Sequence, residues 1–256
     1  MGRLFDASTE LIDIGDVTAL QGPSSFWLSA WVRMDALTQD GVVVSTFRTS
    51  GNAGWIFFFD DVNPSGNNRM DFGFFHTSGS LFIRCSSTGE VEVNEWHHWV
   101  GQYDSTANEL RLYKDAVLDN TTTSATVDPD VSDQNVFIGH HTAGDSGRAL
   151  LGTLAHVRGG LGVLTVGEIS TLMYRNASVV TEFDLPLWGD STEVDISGNG
   201  FNGTVTGATV ADNPPIGPAW GTDDTTPFLV AAPGGTNPKG PLGHPFYGPF
   251  AGPVAA

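Results

Sequence analysis

The feature that most constrains this chain is an eight-residue run, Phe26-Trp27-Leu28-Ser29-Ala30-Trp31-Val32-Arg33, in which two sets of side chains alternate. Phe26, Leu28, Ala30 and Val32 form one set; Trp27, Ser29, Trp31 and Arg33 form the other. Successive side chains of a β-strand point to opposite faces, so alternation over this length predicts a strand. Strand-like runs recur at 42–48, 55–60, 70–76, 80–85, 96–103, 109–114, 135–140 and 152–158. Turn-forming residues punctuate them, as in Asn63-Pro64-Ser65-Gly66-Asn67 and Asp104-Ser105-Thr106-Ala107-Asn108. Many short strands at such spacing predict an all-β fold, a two-sheet antiparallel jelly-roll sandwich.

One helix interrupts the pattern. Thr165 stands three residues before Glu168, and Ile169, Leu172 and Met173 follow at helical spacing. That is a capping box opening a short amphipathic helix, expected to end near Asn176.

Composition changes after residue 212. Residues 213–256 hold most of the fourteen prolines and show few alternating runs. The expected organisation is therefore a sandwich over 1–212 and an extended Pro/Gly-rich C-terminal arm over 213–256. Trp220, Phe228, Phe246, Tyr247 and Phe250 are too many aromatics for an inert linker. They are the candidate partner-binding residues, inserting into pockets of this subunit or of another.

Charge narrows the partners. Asp and Glu number 29 against 11 Lys and Arg, a formal charge of −18. Such a surface repels phosphate backbones and anionic lipid, so neither nucleic acid nor membrane is an expected partner. No apolar run is long enough to span a bilayer. Cys85 is the only cysteine, so no intrachain disulfide forms and a packed core must carry stability. Within Leu81-Phe82-Ile83-Arg84-Cys85 it reads as a small buried hydrophobe. Residues 1–6 run straight into strand-like sequence without a charged region and apolar stretch, so no signal peptide is expected.

Several motifs together resemble laminin-G-like domains of the concanavalin A-like lectin/glucanase superfamily. The 26–33 strand is similar to that family's FTISAWVK strand. Trp96-His97-His98-Trp99-Val100-Gly101-Gln102-Tyr103-Asp104 resembles its WHHVA.TYD, and Leu110-Arg111-Leu112-Tyr113-Lys114-Asp115-Ala116 its LRLYVDG. Gly152-Thr153-Leu154-Ala155-His156-Val157-Arg158 resembles G.IDEVRIY, and the helix LS..EI..LY. With Leu4-Phe5-Asp6, which resembles the family's opening hairpin, these matches run in order across residues 4–175. The segment from Val194 to Ala208 resembles the DLSGNGNNGTVTGA element, which precedes the sandwich in many relatives. Here it follows the helix, so it is expected to supply terminal strands beside the first one. The resemblance implies two sheets packed face to face. It does not imply a function, because the superfamily includes lectins, hydrolases and scaffolds.

Catalytic patterns fit poorly. Glucanases of this superfamily carry a Glu-x-Asp strand with a third acid, which places a nucleophile and an acid/base on one face. Glu182-Phe183-Asp184 and Glu193-Val194-Asp195 both lack the third acid, and Glu90, Glu92 and Glu95 lack an intervening Asp. No Gly-x-Ser-x-Gly elbow is present. His97-His98 and His140-His141 are adjacent, so on strands each pair would point to opposite faces and could not chelate together. Calcium is the metal to consider, because loop carboxylates suit it and the resemblance implies a site at a sandwich rim. Asp6, Asp35 and Asp145 are the candidate ligands, with Asp40, Asp60 and Asp61 also at strand ends or loops. Asp195-Ile196-Ser197-Gly198-Asn199 reads as an Asx turn. Phe57-Phe58-Phe59 must face both sides of a sheet, with Phe72, Phe74, Phe75 and Phe82 on following strands. One side is core; the other is a sugar-stacking face or a surface covered by a subunit or by the arm. The expected function is non-enzymatic: a virion decoration or accessory protein, such as a phage capsid would carry, docking on its own subunits or on capsid protein. The alternative is a glycan-binding adhesion module, Ca²⁺-dependent if the rim carboxylates gather.

Overall fold

The computed structural model describes residues 1–215 apart from 48–51, 62–67, 77–80, 124–126, 142–147, 175–178 and 190. The predicted arm from residue 216 onward, with Trp220, Phe228, Phe246, Tyr247 and Phe250, lies outside the described residues, as do Asp145 and Asn176.

In chain order the strands begin with β1 (Gly2–Phe5), β2 (Leu11–Asp13), β3 (Ser25–Met34), β4 (Gly41–Ser45), β5 (Trp55–Asp60), β6 (Arg69–His76), β7 (Leu81–Ser86) and β8 (His97–Asp104). They continue with β9 (Glu109–Lys114), β10 (Val117–Thr123), β11 (Phe137–Ile138) and β12 (Gly152–Leu161). Helix α1 (Val166–Met173) then precedes β13 (Phe183–Leu185), β14 (Thr192–Glu193), β15 (Gly203–Thr206) and β16 (Thr209–Ala211). Among the described residues these form two antiparallel eight-stranded sheets. The first runs β10-β9-β8-β3-β12-β1-β16, with β13 also on β12; the second runs β14-β15-β2-β11-β4-β5-β6-β7.

The sheets pack face to face over one apolar core. Phe26, Leu28, Ala30, Val32 and Met34 of β3 meet Trp55, Phe57 and Phe59 of β5 and Met70, Phe72 and Phe74 of β6 there. Phe26 lies 5.4 Å from the Phe72 ring and 6.0 Å from Trp55. Each of the larger side chains among these contributes about 1.5–3 kcal/mol on burial. Gly101 stands opposite Phe72, where a Cβ would overlap the ring.

The terminal strands arrange as the resemblance implies. β15 pairs with β2, and β16 pairs with β1, so the segment after the helix returns beside the N-terminus. Two predicted strands are shorter than their patterns. The 42–48 run ends at Ser45, after which Thr46 N–H donates to Trp55 O. The 135–140 run reduces to Phe137–Ile138 because Gly139 turns at φ +79°, with its α-carbon against Phe5. β12 extends to Leu161 across a bulge between Ala155 and Arg158, where His156 has φ +51°. β10 has no alternating pattern to announce it. It forms because Asp115 and Ala116 both take positive φ, a two-residue turn whose twist returns the chain against β9.

Candidate functional site

The two outer faces of the sandwich differ. On the first sheet, Trp27 and Trp31 point away from the core and are covered by α1. Trp27 packs with Val100, Tyr113, Leu164, Ile169 and Leu172, and Trp31 with Ala155 and Met173. The Thr165 hydroxyl accepts from Glu168 N–H, and the Glu168 carboxylate accepts from Thr165 N–H, the reciprocal bonds of a capping box. Trp31 Nε1 donates to Met173 O at 3.2 Å, and Arg158 Nη1 to Leu172 O at 2.7 Å, satisfying carbonyls at the helix end. Trp31 is thus buried beneath the helix and not between the sheets.

No such helix covers the second sheet among the described residues. On its outer face Val42, Phe47, Ile56 and Phe58 cluster, with Phe75 and Phe82 partly exposed against them. The rings continue from strand to strand. Phe82 stacks on Phe75 at 4.6 Å, Phe75 on Phe47 at 4.9 Å, Phe47 on His141 at 5.6 Å, and His141 on His140 at 5.4 Å. The two imidazoles lie 8° from parallel, contrary to the opposite orientations expected of them. The reason is local: β11 ends at Ile138, so the strand rule does not reach residues 140 and 141.

Beside the rings lies a polar cluster. Register pairs Phe58 with Asp71, Phe75 with Phe82, and Gly73 with Arg84, which puts Phe58, Asp60, Asp71, Phe75, Phe82 and Arg84 on one face. Arg84 Nη1 donates to Asp60 Oδ2 at 2.5 Å and to Asp71 Oδ2 at 2.8 Å. The Arg84 side chain is 30% exposed, those of Asp60 and Asp71 only 8% and 0%. Burial pushes the Asp71 carboxyl up to about 6, against the lowering effects of Ser86 and Arg84. Arg84 Nε and Nη2 have no hydrogen-bond partner among the described residues. A half-open guanidinium, anchored by one nitrogen, therefore stands next to a partly exposed aromatic stack.

A laminin-G family model, described as the concanavalin A-like lectin/glucanases superfamily, matches residues 6–170. The chain belongs to that superfamily. Comparison with curated proteins gives no match. Among solved structures, a Bacteroides ovatus protein assigned to carbohydrate binding is 19% identical with a TM-score of 0.64, over 81% of this chain and 58% of that one. This chain therefore spans little more than half of that relative. A heptameric SAP-like pentraxin from Limulus polyphemus is 14% identical, TM-score 0.54, over 77% of this chain and 92% of that one. The CBM40 of a Ruminococcus gnavus IT-sialidase, bound to α2,3 sialyllactose, is 11% identical, TM-score 0.52, over 68% and 97% respectively. At these identities the likeness establishes the shared fold.

The remaining sequence-derived residues of this superfamily member are placed as follows. Asp6 and Asp35 follow β1 and β3 at one rim, on either side of β12, whose Gly152 registers with both Phe5 and Met34. Asp35 is held by Arg33 Nε at 3.0 Å. Among the described residues no three His, Cys, Asp or Glu side chains are arranged to hold a metal ion, and the third candidate ligand, Asp145, lies outside them. Asp40 Oδ1 accepts from Asp61 N–H at 3.2 Å. Asp195 Oδ1 accepts from Ser197 N–H at 2.9 Å, the Asx turn that its sequence predicts, and its Oδ2 accepts from Phe201 N–H. Asp184 pairs with Arg158 at 3.0 Å, and Glu92 accepts from Lys114 at 2.6 Å. His97 bonds Asp115 at 2.7 Å, while His98 faces the other way and shares a hydrogen bond with Ser29 at 2.8 Å. Sequence reasoning marked Phe58, Phe75 and Phe82 but missed Arg84 and Asp71. Their only sequence signal is a charged residue within each strand, and pairing them requires the register of three strands.

Proposed function

We propose that this chain is a non-catalytic binding module that holds a glycan on the outer face of its second sheet. The observation that carries this reading is the contrast between faces: α1 seals the first, while the second presents the Phe75–Phe82 stack beside Arg84. Ligand sites combine an apolar platform with a few placed polar groups, and this face has both. The carbohydrate-binding assignment of the Bacteroides protein and the sugar bound to the Ruminococcus module support it.

The carboxylates argue for binding without turnover. A glycosidase needs two carboxyl groups open to the scissile bond. Asp60 and Asp71 are close enough, and Asp71 holds its proton near pH 6, but both are buried against the same Arg84 nitrogen. A buried acid cannot reach a leaving-group oxygen. The test is a broad glycan array with the full chain, paired with reducing-sugar assays on every glycan bound. Binding without product release supports the reading. Silence across the array, or turnover of a bound glycan, overturns it.

The sequence of the C-terminal segment favours a second, compatible reading. A Pro/Gly-rich stretch carrying five candidate anchors suits attachment to an assembled particle. The module would then be a virion decoration protein that also binds sugar. Light scattering and particle co-sedimentation of the full chain and of a version ending at Asp212 test this. Loss of assembly or particle binding on truncation supports it; two monomers that ignore candidate capsids count against it.

A further inference from the structure

Resting on the glycan-binding reading, we infer that Phe75, Phe82 and Arg84 form a subsite for an uncharged pyranose, in preference to a sialylated or sulfated sugar. Phe82 and Arg84 stand two residues apart on β7, so they share a face about 7 Å apart. That spacing is close to the reach of one sugar residue. A pyranose laid on the Phe82 ring brings its hydroxyls to the guanidinium.

The guanidinium is preorganised. Nη1 is committed to Asp60 and Asp71, which fixes the plane, while Nε and Nη2 keep their donors. Little side-chain freedom remains to be lost when a ligand arrives. Those donors suit any oxygen acceptor, so charge decides among ligands. Two carboxylates within hydrogen-bond distance offset the single positive charge, and the whole chain carries −18. An incoming carboxylate or sulfate would meet Asp60 at close range in a partly buried setting, where like charges repel strongly. Sugar hydroxyls accept from Nε and Nη2 without that repulsion. The site is thus electrostatically unlike one that reads anionic sugars through unopposed arginines.

The test uses an array that carries neutral oligosaccharides beside their sialylated and sulfated counterparts, followed by calorimetry on the best neutral binder. The expected result is binding of a neutral member at least tenfold tighter than its anionic partner. Phe82→Leu, which keeps apolar bulk but removes the ring, and Arg84→Gln should each weaken it at least tenfold, with thermal unfolding measured to show that both variants fold. Should Arg84→Gln fail to fold, Phe82→Leu still decides the matter. Tighter binding of the anionic partner overturns the inference while leaving the glycan-binding reading intact. Neutral binding untouched by Phe82→Leu also overturns it, by moving the site elsewhere. No binding to any glycan overturns both.

Discussion

Arg3 of β1 and Glu193 of β14 form a buried ion pair, Nε to Oε1 at 2.5 Å, across 190 residues of sequence. It joins the first strand of one sheet to the edge of the other. Arg3 Nη1 also donates to Ala208 O, and Glu193 accepts from the N–H groups of Trp188 and Gly189. Removing one partner leaves a buried charge uncompensated. Glu193→Ala should therefore cost about 3–5 kcal/mol, while a double change to apolar residues of similar volume recovers much of that. Urea unfolding of the single and double variants checks this; equal loss in both would show that the charge pair is not the cause.

The helix should respond to its cap and to its floor differently. Thr165→Ala removes one side of the capping box and should cost about 1 kcal/mol. Trp31→Ala empties the space beneath Met173 and should cost about 3–5 kcal/mol. Chemical denaturation separates the two, and a Trp31→Ala cost no larger than that of the cap would contradict the packing described.

Acid stability depends on two buried groups with opposite signs. Burial holds the His98 imidazole down to about 3, with Arg158 acting in the same direction and Asp115 against it. The unfolded chain takes up a proton near 6.5, so this group costs stability as pH falls from 6.5 towards 3. Asp71 behaves oppositely. The folded state holds its proton up to about 6 and the unfolded one only to 3.8, so stability is gained as pH falls through that window. His98→Gln should flatten the acid loss by a few kcal/mol. Asp71→Asn should steepen it. Unfolding free energies at about pH 7.5 and about pH 4.5 test both slopes, and unchanged slopes would refute the assignment.

Cys85 should be inert in the folded protein. Burial pushes its thiol up to about 11, opposed by a hydrogen bond with Thr122. A thiol reagent at mild pH should modify it only after denaturant is added. Fast stoichiometric labelling of the native chain would show that β7 opens.

Glycan binding on the outer face of the second sheet should survive chelation. The described rim residues do not gather around a metal position, and the proposed contacts are Phe75, Phe82 and Arg84. Titration of the best glycan with and without EDTA measures this directly. Loss of affinity with EDTA would return attention to the candidate ligands Asp6, Asp35 and Asp145.

How much was legible depends on how local each cause is. The β3 alternation, the Thr165–Glu168 box and the Asp195 turn each arise within a few residues, and each is found where its pattern places it. β10 was invisible because a backbone turn at Asp115-Ala116 and pairing with β9 create it, not apolar periodicity. His140 and His141 stack because they lie past the end of β11 at Ile138, where strand alternation no longer separates neighbouring side chains.

The sequence by itself determined the sandwich and the superfamily, because alternation and turn chemistry are short-range properties that any pairing must respect. It also required that Phe57-Phe58-Phe59 load both faces of a sheet. Only the tertiary structure decided what each face becomes. α1 folds onto Trp27 and Trp31 and closes one outer surface, while the register of β5, β6 and β7 brings Arg84 between Asp60 and Asp71 and next to Phe82. A one-residue slip in that register would turn each of these side chains to the opposite face, and no pattern within a single strand records which register wins.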